Sequence, residues 1–333
     1  LPIHQDHAPI DGHFVLLCGG VGGAKLALGL YRFLSPEQLT ILVNVGDDFV
    51  FSGLPVCPDI DTVLYTLSGV ENPETGWGRA AESWAAMETM QRLGGPGWFN
   101  LGDKDIGQCM ARAQMFEAQK PLSEVTATLA HALGVECAVA PVTDDPLRTK
   151  VLTDAGLLSF QDYFVRRQCA PKCREIIYEG AGEARLSTAA AAALDRDDLR
   201  GIIVANSNPY LSIAPGLAIP EMRERLMKRR APCVAVSPIV GGSALKGPLA
   251  KIMREFGLTP NAVNIANFYR GLIDALLVDQ GDAQPLGAND QPFVCPSAAS
   301  LIMQALDDKI ALAREAVRTV MSIAEQRLER AAS

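Results

Sequence analysis

Histidine is nearly missing from this chain of 333 residues. There are four, and His4, His7 and His13 fall in or beside a polar N-terminal stretch. Only His131 lies in the body, inside an expected helix Ser123–Leu133. Ser-His-Asp and Cys-His catalysis both need a histidine base, so both are disfavoured. The eight cysteines are scattered and no CxxC pair occurs. Cys169 and Cys173 lie four apart, but no second pair or neighbouring histidine completes a zinc site. Positive charge is short too: 30 Lys and Arg stand against 38 Asp and Glu, a net charge of −8. That balance leaves no basic stripe for nucleic acid. No run of eighteen apolar residues exists, so no transmembrane helix and no membrane partner are expected. Residues 1–12 form a polar leader without a signal-peptide pattern, and reduced thiols are expected in a cytoplasmic protein.

Carboxylates are what the chain offers instead. The apolar run Leu39–Val45 has the composition of a buried strand. Gly46-Asp47-Asp48 follows it at once, and Asp59-Ile60-Asp61 follows a short distance on. Adjacent carboxylates repel, so a buried strand does not normally end in such a cluster. A divalent cation shared between the two segments removes the conflict, and Mg2+ typically takes one or two carboxylates plus substrate oxygens. Pro58 opens an expected helix, and an Asp at a helix start often serves as a cap, so part of the cluster has a structural alternative.

Short apolar strands alternate with amphipathic helices, the pattern of a parallel α/β sheet. Strands are expected at Phe14–Cys18, Leu39–Val45, Val135–Pro141, Gly201–Ala205, Cys233–Ser237 and, last, Ala275–Asp279. The expectation is a Rossmann-like, three-layer parallel sheet in one α/β domain over residues 14–331. A mostly helical insertion is expected over about 62–134, and a small element over about 157–185 with Phe160–Arg166 and Arg174–Tyr178 as candidate strands. The first helix is expected from Ala24 to about Leu34, and the last over Ser300–Ala331.

In open parallel sheets ligands bind outside the carboxyl ends of the strands. Each expected end here carries a polar or glycine-rich segment. Gly20, Gly22, Gly23 and Lys25 suit an anion held by backbone N–H groups at a helix start. Their spacing matches neither GxGxxG nor GxxxxGK[ST], and a tight strand–helix turn is the plain alternative. Gly241, Gly242 and Lys246 form a second candidate anion segment. Ser207 and Asn208 suit a base or ribose, or ordinary turn chemistry. Asp103 and Lys104 suit ligand contacts, or an exposed helix cap.

These segments recur in a fixed order. Gly19–Leu26, Asn44–Asp48, Pro58–Tyr65, Gly76-Trp77-Gly78 and Trp98–Asp105 are followed by Phe160-Gln161-Asp162, Ser207-Asn208-Pro209 with Ser212-Ile213, and Val236–Gly242 with Lys246-Gly247-Pro248. As an ordered set they resemble the 2-phospho-L-lactate transferase family of deazaflavin coenzyme F-420 biosynthesis, from about Phe14 to Asp282. The resemblance implies a transferase whose acceptor is the ribityl deazaflavin Fo and whose donor is a guanosine diphosphate linked to a small phospho-acid. The terminal ribityl hydroxyl attacks the phosphorus that carries the acid, and GMP leaves.

The resemblance also implies roles. Asp47 and Asp59 are the Mg2+ ligands, and Asp61 contacts Fo as base or orienter of its hydroxyl. Asp103 and Lys104 are further Fo contacts. Gly20, Gly22, Gly23, Lys25, Ser207, Asn208, Gly241, Gly242 and Lys246 are phosphate or nucleotide contacts, and the protein is a homodimer. Cys109 stands where the family commonly has His, Ser83 where it has Thr, and Asn206 where it has Pro. A thiol cannot supply a histidine's charge, so Cys109 is the candidate for acid specificity. Phospholactate, phosphoenolpyruvate-derived and 3-phosphoglycerate-derived donors all stay open. Two other readings of the motifs remain: a nicotinamide-dependent dehydrogenase and a non-catalytic nucleotide-binding relative.

Overall fold

The computed structural model describes residues 10–244, 247–283 and 293–332. β1 (His13–Cys18) runs straight into α1 (Gly20–Phe33), and β2 (Leu39–Val43) follows. A hairpin of β3 (Phe49–Phe51) and β4 (Leu54–Val56) leads to α2 (Pro58–Ser68). Next come α3 (Ala85–Arg92), α4 (Asp103–Glu117), α5 (Leu122–Ala132) and β5 (Ala138–Pro141). β6 (Arg148–Thr153), β7 (Gly156–Ser159) and β8 (Cys173–Glu179) form a separate antiparallel sheet in the order β7-β6-β8. α6 (Thr188–Leu194), β9 (Leu199–Val204), α7 (Ala214–Leu217), α8 (Pro220–Lys228) and β10 (Cys233–Val236) return the chain to the main sheet. A small hairpin, β11 (Ile239–Val240) and β12 (Ser243–Ala244), precedes α9 (Leu249–Glu255), α10 (Ala262–Phe268) and β13 (Ala275–Val278). β14 (Phe293–Pro296) and the long α11 (Leu306–Ala332) end the fold.

Among the described residues the main sheet has seven strands in the order β5-β2-β1-β9-β10-β13-β14, every pair parallel. Strands covered on both faces read as unbroken apolar runs. Phe14, Val15, Leu16, Ile41, Leu42, Ile203 and Leu276 are wholly buried, each contributing about 2 kcal/mol by leaving water. Helices flank the sheet, giving the Rossmann-like arrangement. The chain winds outward from β1 through β2 to β5, then returns to β9 on β1's other side. The β1/β9 seam is therefore the topological switch point, and the crevice outside its carboxyl end is the natural ligand position. Among the described residues no helix is long and apolar enough to cross a membrane.

The structure departs from the sequence-based expectation in several places. The glycines after β1 lie in the first turn of α1, which begins at Gly20 rather than Ala24. Phe160–Arg166 is not a strand. It turns back in a helical sense, with a π-helical turn at Asp162–Arg166. Its apolar residues 160, 163 and 164 follow a helical spacing, Phe160 and Phe164 stack with ring centres 5.3 Å apart, and Tyr163 is buried beside Leu158 and Cys173. The small sheet accordingly spans residues 148–179. β13 is not the last strand, because the four-residue β14, too short to show a period, pairs beyond it. α11 starts at Leu306, and Ser300 precedes it in irregular chain. β1 begins one residue earlier than expected, at His13, which is buried there.

Candidate active site

Three segments meet beyond the carboxyl ends of β1, β2 and β9. Asn44 N–H donates to Cys18 O at 2.9 Å, and Ala205 N–H to Leu17 O at 2.9 Å, extending the ladder one residue past each strand. Asn44 then acts as the organiser. Its Oδ1 accepts from Gly46 N–H at 3.0 Å, fixing the turn into Asp47, and its Nδ2 donates to Asp59 Oδ2 at 2.9 Å. Asp59 Oδ1 accepts from Gly20 N–H at 2.7 Å. One carboxylate in the first turn of α2 thus spans the opening turn of α1 and the end of β2.

The crowding explains the glycines. A Cβ on Gly19 would fall on the Asp59 carboxylate and lie 2.9 Å from Asn44 Cβ, and one on Gly23 would lie 2.6 Å from Ser207 Oγ. Gly20 has φ +65, a left-handed conformation that side chains disfavour. Ser207 donates to Gly19 O at 2.7 Å, pinning the β9 segment to the α1 opening. Asn206 Oδ1, next to Gly22, is buried without a hydrogen-bond partner.

Electrostatics separate the four carboxylates. Asp47, Asp48 and Asp59 are each 6 % exposed. Burial pushes Asp47 well above the usual carboxylate range, and the charges of Asp59 and Asp48 push it further. Burial lifts Asp48 to about 7 despite nearby Arg148, and lifts Asp59 to about 6 despite its bonds from Asn44 and Gly20. Asp47 Oδ1 and Asp48 Oδ1 are buried without hydrogen-bond partners among the described residues. Asp61 is different: its Oδ1 accepts from Gln108 Nε2 at 2.7 Å and pairs with Arg112. Gln161 Nε2 donates to Asp47 O at 3.1 Å, which gives the Phe160-Gln161-Asp162 segment its place at the site.

Asp47 and Asp59 are the pair of carboxylates that could hold a cation. The orphaned Asp47 oxygen and the elevation of Asp47 by burial and by the neighbouring Asp59 charge are what a shared positive ion relieves. Among the described residues no three His, Cys, Asp or Glu side chains group to hold an ion unaided. Two carboxylates with substrate oxygens suit Mg2+, which keeps water and ligand in much of its shell.

The other residues singled out from sequence occupy varied positions. Lys25 Nζ donates to Met303 O at 2.8 Å. Lys104 Nζ donates to the carbonyls of Ala80 and Ala81, and Asp103 accepts from Ser83 Oγ and from the N–H groups of Ala85 and Ala86, the start of α3. The capping alternative is what the structure shows for Asp103. Asn208 likewise accepts from Tyr210 and Leu211 N–H, as turn chemistry. Gly241 and Gly242, at φ +58 and +71, are the two-residue turn of the β11–β12 hairpin, with Gly241 N–H on Asp282 Oδ2 at 2.7 Å. Lys246 lies outside the described residues. Cys109 is 1 % exposed in an apolar cluster with Phe51, Val56, Met87 and Leu101, and burial pushes its thiol up to about 12. Rings of the β3–β4 hairpin complete that cluster, with Phe51 and Trp98 centred 5.8 Å apart.

Sequence reasoning missed Asn44 as an organiser and missed Gln108 and Arg112 altogether. The signal for the pair was their four-residue spacing on a helix, which places both side chains on one face.

Comparison with known proteins identifies the family. Residues 14–307 match the family model described as 2-phospho-L-lactate transferase CofD. The chain is 37 % identical over 319 residues to a phosphoenolpyruvate transferase of Kitasatospora aureofaciens, covering 94 % of this chain and 98 % of that one. It is 36 % identical to the phosphoenolpyruvate transferases of Streptomyces coelicolor (93 % and 99 % covered) and Mycobacterium tuberculosis (80 % and 88 % covered). A solved member of the UPF0052 family from Bacillus halodurans shares the fold, with a TM-score of 0.52 at 17 % identity over 84 % of this chain and 83 % of that one. With its glycine-opened α1, its paired carboxylates and a family match running almost from end to end, the chain belongs to the 2-phospho-L-lactate transferase CofD family of transferases.

Proposed function

We propose that this protein transfers a phosphoenolpyruvate-type phospho-acid from a guanosine diphosphate-linked donor to the terminal ribityl hydroxyl of Fo, releasing GMP. One observation carries the reading. Asp47, with an unpaired buried oxygen, lies beside Asp59 at the opening of α1, in the switch-point crevice. Two carboxylates with displaced proton affinities in a ligand crevice suit a cation-assisted displacement at phosphorus. The choice of acid rests on relatives at 36–37 % identity named phosphoenolpyruvate transferases.

The roles in this reading are as follows. Asp47 and Asp59 would hold Mg2+, which when bound neutralises a diphosphate that otherwise repels an incoming alcohol. The α1 opening, Gly20 to Gly23, offers backbone N–H groups and the positive end of a helix dipole to the diphosphate. Asp61 accepts the hydrogen of the ribityl hydroxyl. That oxygen bonds to the phosphorus carrying the acid, the bond from that phosphorus to the bridging oxygen breaks, and GMP takes the electron pair. Asn206 and Ser207 lie across the seam, where the nucleotide would rest.

The test is mass spectrometry of the product made from Fo and Mg2+ with each of three guanosine diphosphate donors, carrying lactate, enolpyruvate or glycerate. The enolpyruvyl phosphodiester should dominate, with GMP in equal amount. Absence of any Fo phosphodiester from all three overturns the reading.

A further inference from the structure

The environment of Asp61 is lopsided. Gln108 Nε2 and Arg112 Nη2 both converge on Oδ1. An arginine facing a carboxylate commonly forms a fork that uses both oxygens. Here no hydrogen bond from the described residues reaches Oδ2, and the Asp61 side chain keeps 12 % of its surface exposed. One oxygen is anchored twice and the other is left for something else.

The anchor is itself immobile. Arg112 is fully buried, and its Nη1 donates to Pro55 O at 3.1 Å in β4. Burial works against the guanidinium charge, but Asp61 together with the neighbouring Cys57 and Cys109 outweighs it. Gln108 is 8 % exposed. These two side chains, one turn apart on α4, join three elements: α4 itself, the β3–β4 hairpin and the first turn of α2. That same turn of α2 carries Asp59, two residues before Asp61. The spacing between the carboxylate assigned to the acceptor and the carboxylates assigned to the cation is therefore set from α4.

We infer that Arg112 and Gln108 are positioning residues for the transfer: they occupy Asp61 Oδ1 so that Oδ2 meets the acceptor hydroxyl at a fixed distance from the Asp47–Asp59 pair. The inference rests on the reaction proposed above. Neither residue touches a reacting atom. Their effect lies in alignment, where a displacement of about 1 Å costs about 100-fold in rate.

Steady-state GMP release from phosphoenolpyruvyl-diphospho-5′-guanosine and Fo tests this in wild type, Arg112→Met, Arg112→Lys and Gln108→Leu. Per folded enzyme, kcat should fall about 100-fold in Arg112→Met and about 10-fold in Gln108→Leu, with KM for the donor within about twofold of wild type. Arg112→Lys should recover part of the loss, because it returns a donor to Oδ1. A merely structural clamp would lower thermal stability and leave kcat per folded enzyme alone. Wild-type kcat in Gln108→Leu and Arg112→Lys overturns the inference, and these two decide it if Arg112→Met does not fold. Wild-type protein that releases no GMP overturns the transfer reading and the inference together, whereas activity that survives the substitutions overturns the inference alone.

Discussion

The two ends of the central sheet treat their acids in opposite ways. At the amino end of β13, Asp274 is ion-paired with Arg229 and Arg327 and accepts from Cys233 N–H at 2.7 Å. At the carboxyl end of β2, Asp47 Oδ1 and Asp48 Oδ1 have no hydrogen-bond partner, and Asp47 is pushed up by burial and by two like charges. Asp274 is half-buried and Asp47 buried, yet depth alone does not set them apart. Completion does. The Asp274 carboxylate is closed off by the chain's own cations, while the Asp47 cluster keeps oxygens that no described group satisfies. Closed networks mark architecture, and open ones mark places where a ligand finishes the structure.

Exchanging the two kinds of acid should break the contrast most sharply. Asp47→Asn should reduce Mg2+-dependent GMP release by about 1,000-fold or more, since the cation loses one of two carboxylates. The same change should leave the metal-free protein as stable or more so, because it removes a like charge beside Asp59. Asp274→Asn should do the reverse, costing about 2 kcal/mol of stability with kcat retained. Parallel kinetics and urea titrations check both. An Asp47→Asn enzyme of wild-type rate would remove the cation assignment.

Mg2+ itself gives the next largest effect. A ligand that binds only the folded state stabilises it, so saturating Mg2+ should raise the melting temperature by roughly 5 °C. Asp274→Asn should show the same rise, and Asp47→Asn and Asp59→Asn almost none. Equal shifts in all four proteins would mean that the ion acts elsewhere on this acidic surface.

The contrast also marks how much was legible beforehand. The parallel sheet was readable because runs such as Phe14–Cys18 and Leu39–Val43 are apolar without alternation, as doubly covered strands require. The acidic cluster was readable because charge after such a run is anomalous. What could not be read was partnership. Asp103 and Asp61 look alike in sequence, yet one caps α3 and the other takes an arginine from α4. The pairing of residues 61 and 112 depends on how α4 packs over β4, and no local pattern encodes that. Gly241-Gly242 suggested an anion site because the two-residue β11 and β12 around it are too short to declare a hairpin. The family resemblance carried the chemistry that spacing alone left open.

The smallest expected effect lies at the closed end, in His13. Its Nδ1 faces Glu37 O at 3.0 Å and its Nε2 faces Thr40 Oγ at 2.9 Å. A carbonyl only accepts, so Nδ1 carries the proton and Nε2 receives the Thr40 hydroxyl, which is the neutral imidazole. Burial lowers the His13 pKa, and Arg196 lowers it further. Below an unfolded value of about 6.5 the unfolded chain takes up a proton that the native state refuses. The stability His13 contributes is thus fully present above that value and is lost as pH falls through the lower, folded one. In the His13→Gln variant this dependence disappears. Urea titrations at pH 7.5 and 5.5 should therefore show wild type losing more stability on acidification than His13→Gln does. Equal losses would mean that the imidazole keeps its solution proton affinity, and that the closed end of the sheet tolerates a buried charge better than its hydrogen bonds imply.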